Sequence, residues 1–177
     1  QTSGTLRKRV HPIGDIVDSS PAYAEDSNTV YVGANDGMMH GISAEDGKVL
    51  FSYVPKGVNF TELSKLSSPE YEHRYFVDGQ IDVISRANQG HGKNILVGAL
   101  GRGGRGVFAL DVTNPTTMGT SNVLWDNTTQ DAVTDGDMGY VLGAVRIRKG
   151  NGGKTYALVP NGIDSPNGSA TLYAYEL

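Results

Sequence analysis

The sequence predicts an all-β protein, a β-propeller with four-stranded antiparallel blades, present as an incomplete arc of about three blades. A strand–turn–strand pattern occurs three times, with Val32, Val97 and Val159 at equivalent places 65 and 62 residues apart. A repeat of this size indicates stacked units that cannot bury their faces alone. The strand centres are near-continuous apolar runs, which favour sheets covered on both faces.

Each unit is predicted from its own strands and turns. The first has strands in residues 29–33, 38–42 and 48–53, the second in 94–98, 107–111 and 122–125, and the third in 155–159 and 172–176. A further strand is predicted in front of each unit, in residues 15–23, 74–85 and 140–148. Four short strands per unit are typical of a propeller blade. A β-sandwich and a parallel β-helix remain alternative packings.

The chain is predicted to be one partial propeller domain over residues 1–177. Its blade-like units are about 10–55, 73–128 and 138–177. The third unit lacks a counterpart of the fourth strand, and a ring generally needs about four or more blades. We therefore expect the chain to be a piece of a larger protein or one partner of an assembly.

Residues 56–72 form the longest interruption between predicted strands. Leu63 and Leu66 predict one short helical turn that ends before Ser68-Pro69. Inserted loops on one end of a propeller commonly carry specificity. The candidate partner-binding residues are therefore Asn59, Phe60, Glu62 and Lys65.

Composition excludes several classes of partner. The net charge of −4 argues against a nucleic acid or an anionic membrane as primary partner. No apolar run approaches the roughly 18 residues of a membrane span. The absence of cysteine excludes disulfides and thiolate metal sites. The short basic cluster Arg7-Lys8-Arg9 is interpreted as a solvated flank.

A glycine-rich stretch between two predicted strands matches a dinucleotide-binding pattern. Gly101-Arg-Gly-Gly-Arg-Gly106 has the G-x-G-x-x-G spacing, but that motif requires a helix after the glycines. Here residues 107–112 read as a strand. We expect a strand-connecting loop that binds no nucleotide.

An acidic stretch resembles part of a calcium loop. Asp131, Asp135 and Gly136 fit positions 1, 5 and 6 of the loop, but Val133 and Leu142 occupy positions where oxygen ligands belong. A solvated acidic loop is favoured, and Asp131, Asp135 and Asp137 are weak metal candidates.

The polar residues predict no catalytic site. His11, His40, His73 and His91 share no metal-ligand spacing. His40 lies in an apolar strand and is predicted to be packed and hydrogen-bonded, whereas His73 is predicted to be exposed. No nucleophile–base set or carboxylate pair stands out. We assign no catalytic or cofactor-binding residue and expect that the chain is not an enzyme.

With these stretches laid out, the chain resembles the C-terminal propeller of the PilC/PilY family, large tip-associated proteins of bacterial type IV pili. The resemblance runs in the family's order from about residue 10 onward. It is carried by Gly14-Asp-Ile-Val-Asp-Ser-Ser-Pro21, Tyr31-Val-Gly-Ala-Asn-Asp-Gly-Met-Met-His40, Tyr53-Val-Pro55, His73-Arg-Tyr-Phe-Val-Asp-Gly79, Leu96-Val-Gly98, Gly103-Gly-Arg-Gly-Val-Phe-Ala-Leu-Asp-Val-Thr-Asn-Pro115 and Leu124-Trp125.

The resemblance implies a secreted protein on the bacterial cell surface, at the pilus tip or associated with the outer membrane. It implies support of pilus assembly, opposition to retraction, and a part in adhesion and twitching motility. The implied partners are minor pilins or the pilus tip complex, host or surface ligands, and the remaining propeller blades. Calcium is implied for the full-length protein through a D-x-D-x-D-G loop, which this chain does not contain.

Two other function classes remain open at this stage. A quinoprotein-type dehydrogenase would need a complete ring, a tryptophan-rich blade motif and axial calcium ligands. The single tryptophan, Trp125, lies in a fourth-strand position where a core role is expected. A generic secreted propeller that serves as an interaction platform is the other alternative, and fold alone does not separate the three.

Overall fold

The computed structural model describes residues 5–89, 92–131 and 136–177, which fold into three antiparallel sheets. The first sheet contains β1 (Ala22–Ala24), β2 (Thr29–Ala34), β3 (Met38–Ser43) and β4 (Val49–Tyr53). The second contains β5 (Ile81–Ile84), β6 (Ile95–Ala99), β7 (Val107–Asp111) and β8 (Val123–Asp126). The third contains β9 (Arg146–Lys149), β10 (Thr155–Pro160) and β11 (Leu172–Glu176). Within every sheet each strand pairs with its neighbour in sequence, as in a propeller blade.

The two four-stranded sheets repeat each other in detail. Val32 and Val97 both lie in the second strand of a sheet, as does Val159 in the third sheet, and all three are buried. The pairing of β3 with β4 shifts register after Gly41, and the pairing of β7 with β8 shifts after Ala109. The predicted repeat and the all-β propeller class are therefore confirmed.

The strands in front of the units are shorter than predicted. Residues 15–23, 74–85 and 140–148 were expected to be extended strands, but only Ala22–Ala24, Ile81–Ile84 and Arg146–Lys149 pair in sheets. The residues before β1 use their backbone groups elsewhere: the Asp15 oxygen accepts from the Asn35 amide, and the Asp18 amide donates to Asp78. Because these partners lie in other segments, residues 14–19 are not available to a sheet.

Two hydrophobic cores join the three sheets, and the second sheet lies between them. Its Leu96, Phe108 and Leu110 belong to the first core, which the second sheet shares with the first sheet. Its Ile95, Val97, Ala99, Val107 and Ala109 belong to the second core, which it shares with the third sheet. Alternate residues of a strand point to opposite faces, so residues 95–97 of β6 and 107–110 of β7 are apolar because both of their faces are covered.

The first strands of the three sheets lie next to one another. Residues of β1 contact β5, and residues of β5 contact β9. The Asp82 carboxylate of β5 accepts a hydrogen bond from the Ile147 amide of β9 at 2.8 Å. This arrangement places the first strands along a common axis, as a propeller requires.

The insertion between β4 and β5 contains the predicted helical turn. Helix α1 (Phe60–Ser64) continues into a 3-10 turn over Lys65–Ser67, and the chain leaves helical geometry at Ser68, before Pro69. Leu63 and Leu66 pack against the first core. A second short helix, α2 (Arg86–Gln89), follows β5. Neither helix found in the described part of the chain is long and apolar enough to cross a membrane.

Candidate partner-binding rim

The strand connections at one end of the sheets form a continuous surface with the insertion. We call this surface the rim; it consists of the connections 35–37, 100–106 and 161–171 and the segments 12–19, 54–80 and 137–142. The β2–β3 turn is tight, with Ala34 opposite Met38 and Gly37 at φ +89°. A Cβ atom built on Gly37 would lie 2.8 Å from Leu63 Cδ1, so α1 rests directly on this turn.

Asn35 ties three chain segments together within the rim. Its side-chain oxygen accepts from the Phe76 amide at 2.9 Å. Its side-chain nitrogen donates to Asp15 at 3.3 Å and to Asp78 at 3.4 Å. The sequence showed only that Asn35 is a favourable turn residue, and nothing local signals contacts 20 to 43 residues away in the chain.

Asp36 and His40 form a buried hydrogen-bonded pair that reaches Ser52. His40 Nε2 lies 3.0 Å from Asp36 Oδ2, and His40 Nδ1 lies 2.8 Å from Ser52 Oγ. This confirms His40 as a packed, hydrogen-bonded residue. Burial acts to raise the pKa of Asp36, but hydrogen bonds from His40 and from the Gly14 amide outweigh it and lower that pKa.

Asp36, His40 and Ser52 are hydrogen-bonded in the same acid–base–nucleophile order as the catalytic residues of a serine hydrolase. The other hydrogen bonds of Asp36, however, hold chain segments together. Asp36 also accepts hydrogen bonds from the Gly14 amide at 2.8 Å and the Met38 amide at 3.2 Å. The set therefore fastens the segment before β1, the β2–β3 turn and β4 to one another. Sequence reasoning missed this set because Ser52 and Asp36 are common surface residue types.

Asp78 is a buried carboxylate with an unfilled acceptor. Its Oδ1 accepts from the Asp18 amide at 3.2 Å, whereas its Oδ2 has no hydrogen-bond partner among the described residues. Burial raises the pKa of Asp78, and the nearby Asp18 carboxylate adds to the effect. On the surface beside it, Arg102 lies 3.7 Å from Asp18, and His73 lies 2.7 Å from Asp15. His73 is partly exposed, as predicted.

The weak metal candidates are not gathered into a site within the described ranges. Asp131 is exposed, Asp135 lies outside the described residues, and Asp137 accepts a hydrogen bond from the Asn167 side chain at 3.2 Å. Over residues 5–89, 92–131 and 136–177 no three His, Asp or Glu side chains are placed to hold a metal ion. Calcium dependence of a full-length protein stays a prediction of the resemblance.

The glycine-rich loop connects β6 to β7, and no helix follows it. It contains a 3-10 turn over Gly101–Gly103, and β7 begins at Val107. A Cβ on Gly103 would collide with the backbone oxygen of Phe76, and Gly106 has φ +88°. These glycines are explained by close backbone packing and turn geometry, as predicted for a strand connection. That the loop binds no nucleotide stays a prediction.

Three of the four candidate residues of the insertion serve its own structure. The Asn59 side chain accepts from the Glu62 amide and caps α1. Glu62 lies 2.7 Å from Lys65 and 3.5 Å from Arg74, and the Lys65 hydrogen bond is the main cause of its lowered pKa. Phe60, by contrast, is 62% exposed. The insertion is thus an ordered support that presents an aromatic side chain.

The basic cluster near the start of the chain is not simply a solvated flank. Arg7 is half-buried: its amide donates to the Ser67 oxygen at 2.8 Å, and its guanidinium lies 4.2 Å from the centre of the Tyr71 ring. Lys8 and Arg9 are exposed, as predicted. The prediction is wrong for Arg7 because the insertion supplies an aromatic ring and a backbone acceptor that no local pattern shows.

The chain has clear relatives among known proteins. The PilY1 beta-propeller domain family model matches residues 2–177. A type IV pilus biogenesis factor PilY1 homolog of Xylella fastidiosa (strain Temecula1) is 36% identical over 204 aligned residues, covering 97% of this chain and 14% of that protein. The type IV pilus biogenesis factor PilY1 of Pseudomonas aeruginosa (strain UCBPP-PA14) is 35% identical over 175 residues, covering 97% of the chain and 14% of that protein. The chain thus spans about one seventh of the length of these curated relatives.

A solved structure shares both the fold and the sequence pattern. The crystal structure of the Pseudomonas aeruginosa PilY1 C-terminal domain superposes with a TM-score of 0.61 at 32% identity, covering 84% of this chain and 27% of that one. This match and the family match agree with the three packed sheets and with the resemblance to PilC/PilY proteins. The chain belongs to the PilY1 β-propeller family.

Proposed function

We propose that the chain is a non-enzymatic binding platform in type IV pilus biogenesis and that the part of its rim formed by the insertion contacts a pilus component. Support comes from relatives that are named type IV pilus biogenesis factors and match nearly the whole chain. On this proposal the protein acts outside the cell, on the bacterial surface or at the pilus tip. There it supports assembly, counters retraction, and contributes to surface attachment and twitching motility.

The observation that carries the rim assignment is the exposed Phe60 on a well-supported helix. Its helix is capped by Asn59 and braced by the Glu62–Lys65 pair, and Leu63 and Leu66 pack it against the first core. Because these contacts already order the helix backbone, that backbone loses little conformational freedom when Phe60 binds, which favours Phe60 as an anchor. The proposed partners are minor pilins or the pilus tip complex, with host or surface ligands as further targets.

A point variant tests this assignment without disturbing the fold. In the intact protein of the native host, Phe60→Asp should lower surface piliation and twitching, because it puts a charge where an apolar contact is required. Ile163→Asp is the matched control, since Ile163 is 60% exposed and lies on the rim at the third sheet. Unchanged piliation and twitching in Phe60→Asp cells, with normal protein levels, would refute the role of the insertion.

A deletion tests the same assignment more broadly. Removal of residues 59–67 should abolish the contact, but it also uncovers part of the first core, so secreted protein levels must be measured beside piliation.

Ser52→Ala tests the non-enzymatic assignment: piliation should be unchanged, because the Ser52 hydroxyl only extends the His40 hydrogen bonds. Loss of piliation in Ser52→Ala with normal stability would contradict it.

A further inference from the structure

The segment that precedes β1 lies across the insertion and separates two adjoining grooves. One groove has a volume of about 490 Å³ and lies between Leu6 and α1. The other has a volume of about 480 Å³ and extends toward Asn35 and His73. Arg7, Arg9 and Leu66 line both. The two grooves therefore adjoin each other on either side of the basic cluster.

Arg7 fixes this segment in place. Besides the hydrogen bond to Ser67 and the stacking on Tyr71, its Nε atom is buried and has no hydrogen-bond partner among the described residues. Arg7 is therefore held against the insertion while its buried Nε keeps an unfilled donor.

The grooves carry unpaired positive charge in a chain whose net charge is −4. Within the described ranges no carboxylate lies at ion-pair distance from Arg7, Lys8 or Arg9, although Arg74, Arg102 and Arg105 each have one. Asp15 is the acidic residue that lines the grooves, and His73 already engages it at 2.7 Å. Three adjacent unpaired cations on an otherwise acidic protein indicate an anionic partner.

The walls are also apolar. Leu63 and Leu66 line the first groove, where Leu6 is 52% exposed, and Val10 beside the second groove is 81% exposed. A polysaccharide or a nucleic acid backbone offers no group that covers leucine and valine side chains. A polypeptide with both acidic and apolar residues matches both features of the grooves.

We propose that these grooves bind an acidic, amphipathic polypeptide segment of a pilus component. This inference rests on the proposed function and names the chemistry of its partner. Carboxylates of the segment contact Arg7, Lys8 and Arg9, and its apolar side chains cover Leu6 and Leu66.

Synthetic peptides test the inference on the purified 177-residue chain. A fluorescein-labelled peptide of Glu-Ser-Leu repeats should bind saturably in fluorescence anisotropy, whereas Lys-Ser-Leu and Glu-Ser-Ser repeats should not.

The double variant Lys8→Glu/Arg9→Glu should weaken binding at least about tenfold, since like charges replace attraction. Arg146→Glu/Lys149→Glu on β9 makes the same change in net charge on exposed residues outside the grooves and should leave binding unchanged. Leu6→Ser should weaken binding, and Leu172→Ser, also exposed, should not.

Several results would overturn the inference. Equal binding of Lys-Ser-Leu repeats, equal loss in the β9 control, or binding of heparin or anionic phosphatidylglycerol vesicles in place of the Glu-Ser-Leu peptide would each do so. In cells, Phe60→Asp tests the proposed function separately. If Phe60→Asp lowers piliation and Lys8→Glu/Arg9→Glu does not, the groove inference fails while the proposed function stands.

Discussion

The boundary between the first and second sheets is built differently from the boundary between the second and third. The first is filled by large side chains: Tyr31, Phe76 and Phe108 are fully buried, and the Tyr53 ring is tilted against Phe108 at 5.4 Å between ring centres. The buried side chains of the second are aliphatic, and they range from Ala109 and Ala157 to Ile147 and Met138. At the second boundary the aromatic rings lie at the margin, where Trp125 is 5.0 Å from Tyr175.

The polar contacts across the two boundaries also differ, because those at the first boundary are more buried than those at the second. Across the first, Asp126 accepts from the Tyr53 hydroxyl at 2.6 Å and from the Lys56 amide, and Thr128 accepts from the Gly57 amide. Across the second, Arg105 stacks 4.5 Å from the Tyr140 ring and pairs with the exposed Asp164. The first boundary thus fixes the start of the insertion, the part of the rim where a partner is proposed to bind.

The largest expected effect tests the difference between the two cores. Phe108→Ala should lower the free energy of unfolding by about 3–5 kcal/mol, because it empties a fully buried ring site in the first core. Val159→Ala, fully buried in the second core, should cost only about 2 kcal/mol, near the transfer of two methylene groups. Urea unfolding of both variants measures the difference. Equal losses would remove the distinction between the boundaries.

The next effect tests whether the insertion belongs to the first boundary. Gly37→Val and Gly47→Val both place a β-branched residue at positive φ, which costs about 1–2 kcal/mol. Only the Gly37 variant also meets Leu63, since no atom lies within 4 Å of a Cβ at Gly47. We expect a loss of about 3 kcal/mol at Gly37 and about half of that at Gly47. Matching melting temperatures for the two variants would show that α1 does not rest on the turn.

Two buried carboxylates of the rim should respond to pH in opposite directions. The pKa of Asp36 is lowered, so its stabilisation is present above the unfolded-state pKa of about 3.9 and is lost as the pH falls through the folded-state value. Asp36→Asn should cost about 2 kcal/mol at pH 7, and the difference from wild type should shrink on acidification.

Asp78 is the buried carboxylate to compare with Asp36, because its pKa is raised rather than lowered. Its favourable contribution is present below about pH 3.9 and is lost as the pH rises through the folded-state pKa. Asp78→Asn should therefore leave the free energy of unfolding unchanged or increased at pH 7, measured by urea unfolding across pH. A loss at Asp78 as large as that at Asp36 would contradict the assignment of Oδ2 as an unfilled acceptor.

The smallest effect compares one tyrosine at each boundary. Tyr53→Phe removes a partly buried hydrogen bond to the Asp126 carboxylate and should cost about 1.5 kcal/mol. Tyr175→Phe removes an exposed hydrogen bond from the Asn127 side chain at 3.2 Å and should cost about 0.5 kcal/mol. Burial and the Asp126 hydrogen bond raise the pKa of Tyr53, so its phenol should resist ionisation in an alkaline absorbance titration.

The fold could be predicted from local patterns, whereas the contacts of the rim could not. Strand centres such as residues 95–97 and the turn at Gly37 are encoded by adjacent residues, so the sequence shows them directly. Asn35 with Phe76 and Tyr53 with Asp126 are separated by 41 and 73 residues, and only the folded chain brings them together.

The wrong limits of the first front strand have a physical cause. Ile16 and Val17 look like strand residues, yet they are 47% and 50% exposed, because the polar groups around them hold the segment on the rim. Phe60 could be named as a candidate from the length of its loop. That Asn59, Glu62 and Lys65 would support it required the structure.

Site-specific photocross-linking tests the central claim most directly, that the rim beside the first boundary contacts a pilus component. A benzophenone amino acid replaces Phe60 in one strain and Ile163 in another, two positions of nearly equal exposure, 62% and 60%. After irradiation of piliated cells, mass spectrometry identifies the adducts. We predict an adduct with a pilin-like subunit from position 60 and none from position 163. A pilin adduct from position 163 alone would contradict the account.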